Sequence, residues 1–246
     1  LDTKIKLGAV SYLNTLPLLY GIRHSPVYPK LDIQLEYPAM IASGLVAGKL
    51  DIGLVPVAAL KQIQDYRIIS DYGIACQGPV ASVCIYSKVP LLQCKRILLD
   101  YQSRSSVALA GILLKEYWNL DLETEETQTD DFLDAIDGTT AGLVIGDRAL
   151  RFRAHAPFIY DLGEAWHAMT GLGFVFAVWA ANKPFDTDFI HAFNEANALG
   201  IQNAGKVIEA NPFPAYDLHT YYHQNIRYKL NAECLRGMEL FLSKIP

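Results

Sequence analysis

No stretch of this sequence has the ~20 consecutive apolar residues that a membrane-spanning helix requires. Positive charge is also scarce: 21 Lys and Arg stand against 26 Asp and Glu, a formal net charge of -5. A nucleic-acid-binding chain usually carries a basic face, so no nucleic-acid partner and no membrane partner is expected. Cysteine is sparse. Cys76, Cys84, Cys94 and Cys234 form no CxxC pair and have no histidine at metal-ligand spacing, which points to small buried thiols in a reducing compartment. The six histidines form no HExxH and no paired ligand pattern, so no metal is expected. Walker-type and dinucleotide glycine motifs are absent, as is the G-x-S-x-G elbow of serine hydrolases. The opening residues 1–4 lead straight into an apolar segment without the charged, apolar and cleavage regions of an export signal, and the expected location is the cytoplasm.

Hydrophobic residues are plentiful at 51%, and the 246-residue chain has material for one large core or two smaller ones. Short β-rich runs alternate with helical stretches. Strands are predicted at residues 4–10, 32–37, 51–55, 72–77, 82–87, 96–100, 121–125, 142–145, 158–160 and 174–180. Helices are predicted at 16–22, 38–47, 57–62, 107–118, 130–136, 163–169, 187–210 and 232–242. This alternation implies an α/β fold with mostly parallel sheets flanked by helices. The strong strands at 82–87 and 174–180 bracket a middle block, as in a chain that crosses into a second lobe and returns. One lobe is therefore expected at 1–85 plus 179–246 and the other at 86–178, with a ligand cleft between them.

Ser11, Asn14 and Thr15 fall where the first strand ends and a helix begins. Short polar side chains and free backbone N–H groups there suit an anion or a hydroxyl; helix capping uses the same residues. Ser103, Arg104, Ser105 and Ser106 repeat the pattern in the second block, where a carboxylate would find hydroxyls, N–H groups and a guanidinium. A capped helix with a solvated arginine reads equally well. Ser82 enters a strand from the turn 78–81. Asp147 ends a buried strand as a candidate general acid or base, or as a cap or partner of Arg148. Gly171 sits in a glycine-bearing turn before the return strand. Taken alone, these residues describe a two-lobed binder of small acids.

The same segments resemble the chorismate dehydratase family of the futalosine route to menaquinone. They are VSYLNTLPL (10–18), GLVAGKLDIGLVPVAAL (44–60), GPVASV (78–83), LDYQSRSSVAL (99–109), IGDRAL (145–150) and YDLGEAWHAMTGLGFVFAVW (160–179). The last 65 or so residues match only loosely, as a helical tail with a Tyr228-Lys229-Leu230 element, and Gly173 stands where the family more usually has proline. The resemblance implies a type II periplasmic-binding-protein fold used for catalysis: chorismate loses water to become 3-[(1-carboxyvinyl)oxy]benzoate, with no cofactor or metal. On that reading Ser103, Arg104, Ser105 and Ser106 are expected to hold a substrate carboxylate, Asn14 and Ser82 to orient the reacting face and assist the hydroxyl, and Ser11, Thr15 and Gly171 to complete the pocket. The proton acceptor is either Asp147 or the substrate's own enolpyruvyl carboxylate. A solute-binding or sensing protein for a small carboxylic acid, without catalysis, shares the fold and is the alternative. It would call for an export signal, a lipid-anchoring cysteine or a helix-turn-helix, and none is visible.

Overall fold

A computed structural model describes residues 4–246; Leu1, Asp2 and Thr3, the start of the expected first lobe, lie outside the described residues. The strands are β1 (Ile5–Ala9), β2 (Leu31–Leu35), β3 (Ile52–Pro56), β4 (Arg67–Cys76), β5 (Val83–Ser87), β6 (Arg96–Leu99), β7 (Glu123–Glu126), β8 (Thr140–Ile145), β9 (Phe158–Asp161), β10 (Phe174–Ala181) and β11 (Arg227–Lys229). The helices are α1 (Leu16–Arg23), α2 (Pro38–Val46), α3 (Arg104–Glu116), α4 (Gly146–Phe152), α5 (Leu162–Thr170), α6 (Thr187–Gln202), α7 (Ala204–Ala210), α8 (Leu218–Thr220) and α9 (Ala232–Lys244). Val57–Gln62 and Asp130–Ala135, expected as helices, are 3-10 turns.

Two sheets form two lobes. The first has six strands in the order β11-β4-β10-β3-β1-β2, the second five in the order β7-β6-β8-β5-β9. Both are mixed rather than mostly parallel. Strands β1, β2 and β3 run parallel, as do β6, β7 and β8, while β5 and β10 are antiparallel to both their neighbours. The reason is mechanical. β1, β3, β6 and β8 finish at the cleft, and a chain arriving from the other lobe enters its new sheet at that same end. It must therefore run against the strands that end there, as the pairs Val83 with Ile145 and Ala177 with Pro56 record. The crossings occupy the segments 77–82 and 162–173, so the expected boundaries at 85/86 and 178/179 fall inside β5 and β10.

β10 lies between β3 and β4, and its Val175, Val178, Trp179, Ala180 and Ala181 have no exposed surface. The indole N–H of Trp179 donates to the buried Asn197 at 3.0 Å, so the one polar atom this ring takes into the core is satisfied. The helix expected over 187–210 is broken at Asn203. Its side-chain amide donates to the Leu199 carbonyl at 2.8 Å, competing with the helix's own bonding. The tail also adds β11 to the sheet edge and a π-helical turn at Tyr221–Asn225, neither of which periodicity suggests.

Two close backbone approaches fix where the site's helices sit. Helix α1 rests on α6 with glycine facing glycine: a Cβ on Gly200 would lie 1.8 Å from the Pro17 carbonyl oxygen, and one on Gly21 2.0 Å from that of Ala196. Gly173 is packed equally tightly, since a Cβ there would meet Cys234 Sγ at 2.8 Å and the Cys76 carbonyl oxygen at 2.9 Å. Packing against α9 thus accounts for glycine in that turn.

Gly200→Ala would add about 1 kcal/mol of helix propensity on its own. Because a backbone carbonyl blocks the new methyl, the expected result in urea unfolding is instead a loss of about 3 kcal/mol. A neutral or stabilising result would contradict the α1–α6 contact.

Candidate active site

Four segments meet at the cleft ends of the strands: residues 10–15 after β1, the crossing before β5, the start of α3, and the junction of β8 with α4. They line a small cavity that opens to solvent. Its polar lining comes from Tyr12, Asn14, Thr15, Ser82, Ser103 and Ser106, and its apolar walls include Leu54, Ile74 and Phe176. Among the described residues, no Lys, Arg, His, Asp or Glu lines it.

The first segment is an N-terminal turn. Leu13–Thr15 forms a 3-10 turn that continues into α1, with Pro17 in the first helical turn, where its missing N–H costs nothing. Leu13 N–H donates to Asp147 Oδ1 at 3.1 Å, Thr15 Oγ1 donates to Asn14 Oδ1 at 3.1 Å, and the Tyr228 hydroxyl donates to the Asn14 carbonyl oxygen at 2.9 Å. With its carbonyl oxygens so engaged, Asn14 keeps its side-chain N–H2 without a protein partner among the described residues.

Ser82 is delivered by a strained turn. Ala81 has φ of 64°, in the left-handed region that costs a residue with a Cβ about 1 kcal/mol or more. The buried Asp161 carboxylate holds that turn, accepting the N–H of Val80 (3.0 Å) and of Ala81 (2.7 Å). It also caps α5 through the N–H of Gly163 (2.9 Å) and Glu164 (3.1 Å). Burial pushes the Asp161 carboxyl above its ordinary range, and the four backbone donors pull against that rise. Ser82 itself is 1% exposed, and its Oγ accepts a hydrogen bond of 2.8 Å from the Tyr221 hydroxyl.

In the second lobe Ser103 is the N-cap of α3, its Oγ accepting from Ser106 N–H at 3.2 Å and donating to Ser106 Oγ at 2.9 Å. Their approach is fixed by Asp100 at the end of β6. It accepts from Gln102 N–H and Ile145 N–H and pairs with Arg148 through both carboxylate oxygens at 2.9 and 2.8 Å.

The other expected site residues lie elsewhere. Ser105 does not line the cavity; its Oγ accepts from Ala58 N–H at 2.9 Å and so ties the lobes together. Arg104 is exposed and donates to Gln62 Oε1 at 3.1 Å, leaving its positive charge outside the cavity. Ser11 is exposed and outside the lining, and Gly171, with φ of 71°, ends α5 as its left-handed C-cap. Asp147 is also outside the lining. Burial raises its pKa, opposed by the Leu13 N–H and by the charges of Arg151 and Arg148. Sequence reading missed Asp161, Tyr221 and Tyr228. The paired Tyr221-Tyr222 was the available signal, but tyrosines in a helical tail read as core.

A family profile described as "Menaquinone biosynthesis" matches residues 5–245. A chorismate dehydratase of Thermus thermophilus is 29% identical over 259 residues, covering 96% of this chain and 93% of that protein. Among solved structures, an Archaeoglobus fulgidus protein superposes with a TM-score of 0.77 at 15% identity, covering 98% of this chain and 96% of that one. The periplasmic aliphatic sulphonate-binding protein of Escherichia coli does so with a TM-score of 0.67 at 16% identity, covering 99% and 91%. The fold is that of the periplasmic binding proteins.

Asp161→Asn places an amide N–H2 against backbone donors and removes one acceptor. The expected cost in chemical denaturation is about 3 kcal/mol, and unchanged stability would show that the crossing does not depend on this carboxylate.

Proposed function

The chain belongs to the menaquinone-biosynthesis family, and from that premise we propose that it is a chorismate dehydratase, a carbon–oxygen hydro-lyase giving 3-[(1-carboxyvinyl)oxy]benzoate and water. The observation that carries the reading is a cavity walled by apolar side chains and provided with neutral donors from both lobes. Chorismate brings its own two negative charges. Helix starts and hydroxyls can hold carboxylates without a cation, and the Ser103–Ser106 pair at the start of α3 is the place for one of them. This departs from the expected role of Arg104, whose guanidinium faces Gln62.

The ring is one dehydration from aromaticity. The C3 proton is acidified through the diene and the C1 carboxylate. As it passes to the base the C4–O bond breaks, and the leaving hydroxide takes that proton back from the protonated base to become water, so no proton is gained or lost overall. The Asn14 side-chain N–H2 and the Ser82 hydroxyl orient this face and donate to the departing oxygen, in an environment where fixed donors need no reorganisation. Thr15 Oγ1 donates to Asn14 Oδ1 and so holds the amide in place. For the base, a substrate carboxylate with no cation beside it stays basic, whereas Asp147 is committed to Leu13 N–H and stands outside the lining. The enolpyruvyl carboxylate is therefore assigned as proton acceptor, and Asp147 as the cap that fixes the Asn14 turn. No described helix is long and apolar enough to cross a membrane. The proposed setting is the cytoplasm, with the small-molecule substrate as partner.

The test is purified protein mixed with chorismate, the product followed by chromatography and mass. Dehydration is expected, with Asn14→Ala lowering kcat by about 100-fold while KM changes little. Chorismate binding without turnover would move the protein to a solute-binding role. Asp147→Asn keeps an oxygen for Leu13 N–H, and its turnover is expected within about threefold of wild type, since general-base catalysis is worth about 100-fold or more. A loss of that larger size in a folded Asp147→Asn protein would make Asp147 the base.

A further inference from the structure

We propose that the C-terminal segment supplies a positioning residue for this chemistry: Tyr221, whose hydroxyl donates to Ser82 Oγ and so leaves the Ser82 proton free for an oxygen in the cavity. The role rests on the dehydratase reading. Tyr221 has no exposed surface, and its hydroxyl lies 2.8 Å from Ser82 Oγ, with no other partner among the described residues. Two hydroxyls in contact share one proton between them, so one donates and the other accepts. If Ser82 donated, the buried phenolic proton would have no acceptor, which costs about 1–3 kcal/mol. Tyr221 therefore donates. Burial drives its phenol further from ionisation, keeping that proton in place. Among the described residues, the remaining acceptor near the Ser82 proton is the Val80 carbonyl at 3.5 Å, the outer limit of a hydrogen bond. An oxygen in the cavity at ordinary distance wins over it.

The tail is built to hold this contact. Asp217 caps α8 by accepting from His219 N–H, Thr220 N–H and Thr220 Oγ1. The chain then widens into the π-helical turn Tyr221–Asn225, a feature that recurs at functional sites. More residues per turn bring neighbouring side chains closer in angle, so Tyr221 and Tyr222 are both buried. Asn225 closes the arrangement, accepting from the Tyr216 hydroxyl at 3.0 Å and donating to the Pro79 carbonyl at 3.1 Å, inside the loop that carries Ser82. Downstream, Tyr228 holds the Asn14 carbonyl. The adjacent Tyr222 differs: its buried hydroxyl has no partner among the described residues, so it serves as the control for packing.

Tyr221→Phe removes one oxygen and keeps the ring. The experiment measures kcat, KM and melting temperature for wild type, Tyr221→Phe, Tyr222→Phe, Ser82→Ala and the Ser82→Ala/Tyr221→Phe pair. Expected are a kcat lower by about tenfold or more in Tyr221→Phe with KM little changed, full kcat in Tyr222→Phe, and no further loss when Tyr221→Phe is added to Ser82→Ala. Undiminished kcat in Tyr221→Phe overturns the role while wild-type turnover upholds the dehydratase reading. An equal loss in both backgrounds, or the same loss in Tyr222→Phe, also overturns it, as packing damage. A wild-type protein that does not turn chorismate over overturns the dehydratase reading and this role together.

Discussion

The whole arrangement depends on getting a chain through the gap between two lobes while leaving the Ser82 side chain in the lining of the cavity there. Residues 78–82 do this with Ala81 in a left-handed conformation, and such a turn persists only where its surroundings over-determine it. Asp161 provides that constraint. One carboxylate collects four backbone N–H groups, two from the outward crossing and two from the helix that begins the return. Both crossings are thereby fastened at one point. Because they enter their sheets at the cleft end, β5 and β10 must run antiparallel to the strands beside them. Sheet topology, the placement of Ser82 and the capping of α5 follow from the same geometric requirement.

Electrostatics set the character of the cavity. Charged groups are near, but each is already committed: Arg148 to Asp100, Asp147 to the Leu13 N–H, Arg104 to Gln62. What reaches the cavity is neutral. The committed charges instead fix the walls. Asp100 ties Ile145 and Gln102 to Arg148, and Gln102 in turn accepts from the Tyr12 hydroxyl across the gap at 2.5 Å.

Much of this was readable in the sequence, and the boundary of what was readable has a physical cause. Alternating patterns and caps located the strands, because burial imposes a period that composition records. The polar residues around Asn14, Ser82 and Ser103–Ser106 stood out against the apolar strands beside them, although helix capping and turns use the same residue types. Strand direction was not legible: a buried run such as Phe174–Ala181 reads the same parallel or antiparallel. Side-chain direction was lost as well. Within one turn of α3, Ser103 and Ser106 face the cavity, Ser105 reaches Ala58, and Arg104 turns outward, since residues on a helix start diverge around its axis.

The tail shows most clearly why motif reading stops where it does. Its contributions to the site are a phenol on Ser82 Oγ, a phenol on the Asn14 carbonyl and an amide on the Pro79 carbonyl. Two of these three acceptors are backbone atoms, which any sequence supplies, so they leave no mark at the positions they grip. Nor do the donors follow a helical or strand period, because the segment passes through a helical turn, a π-helical turn and a short edge strand within a dozen residues. A loosely patterned tail can therefore carry strict requirements at a few tyrosines, and those requirements become visible only once the chain has folded back on its first strand.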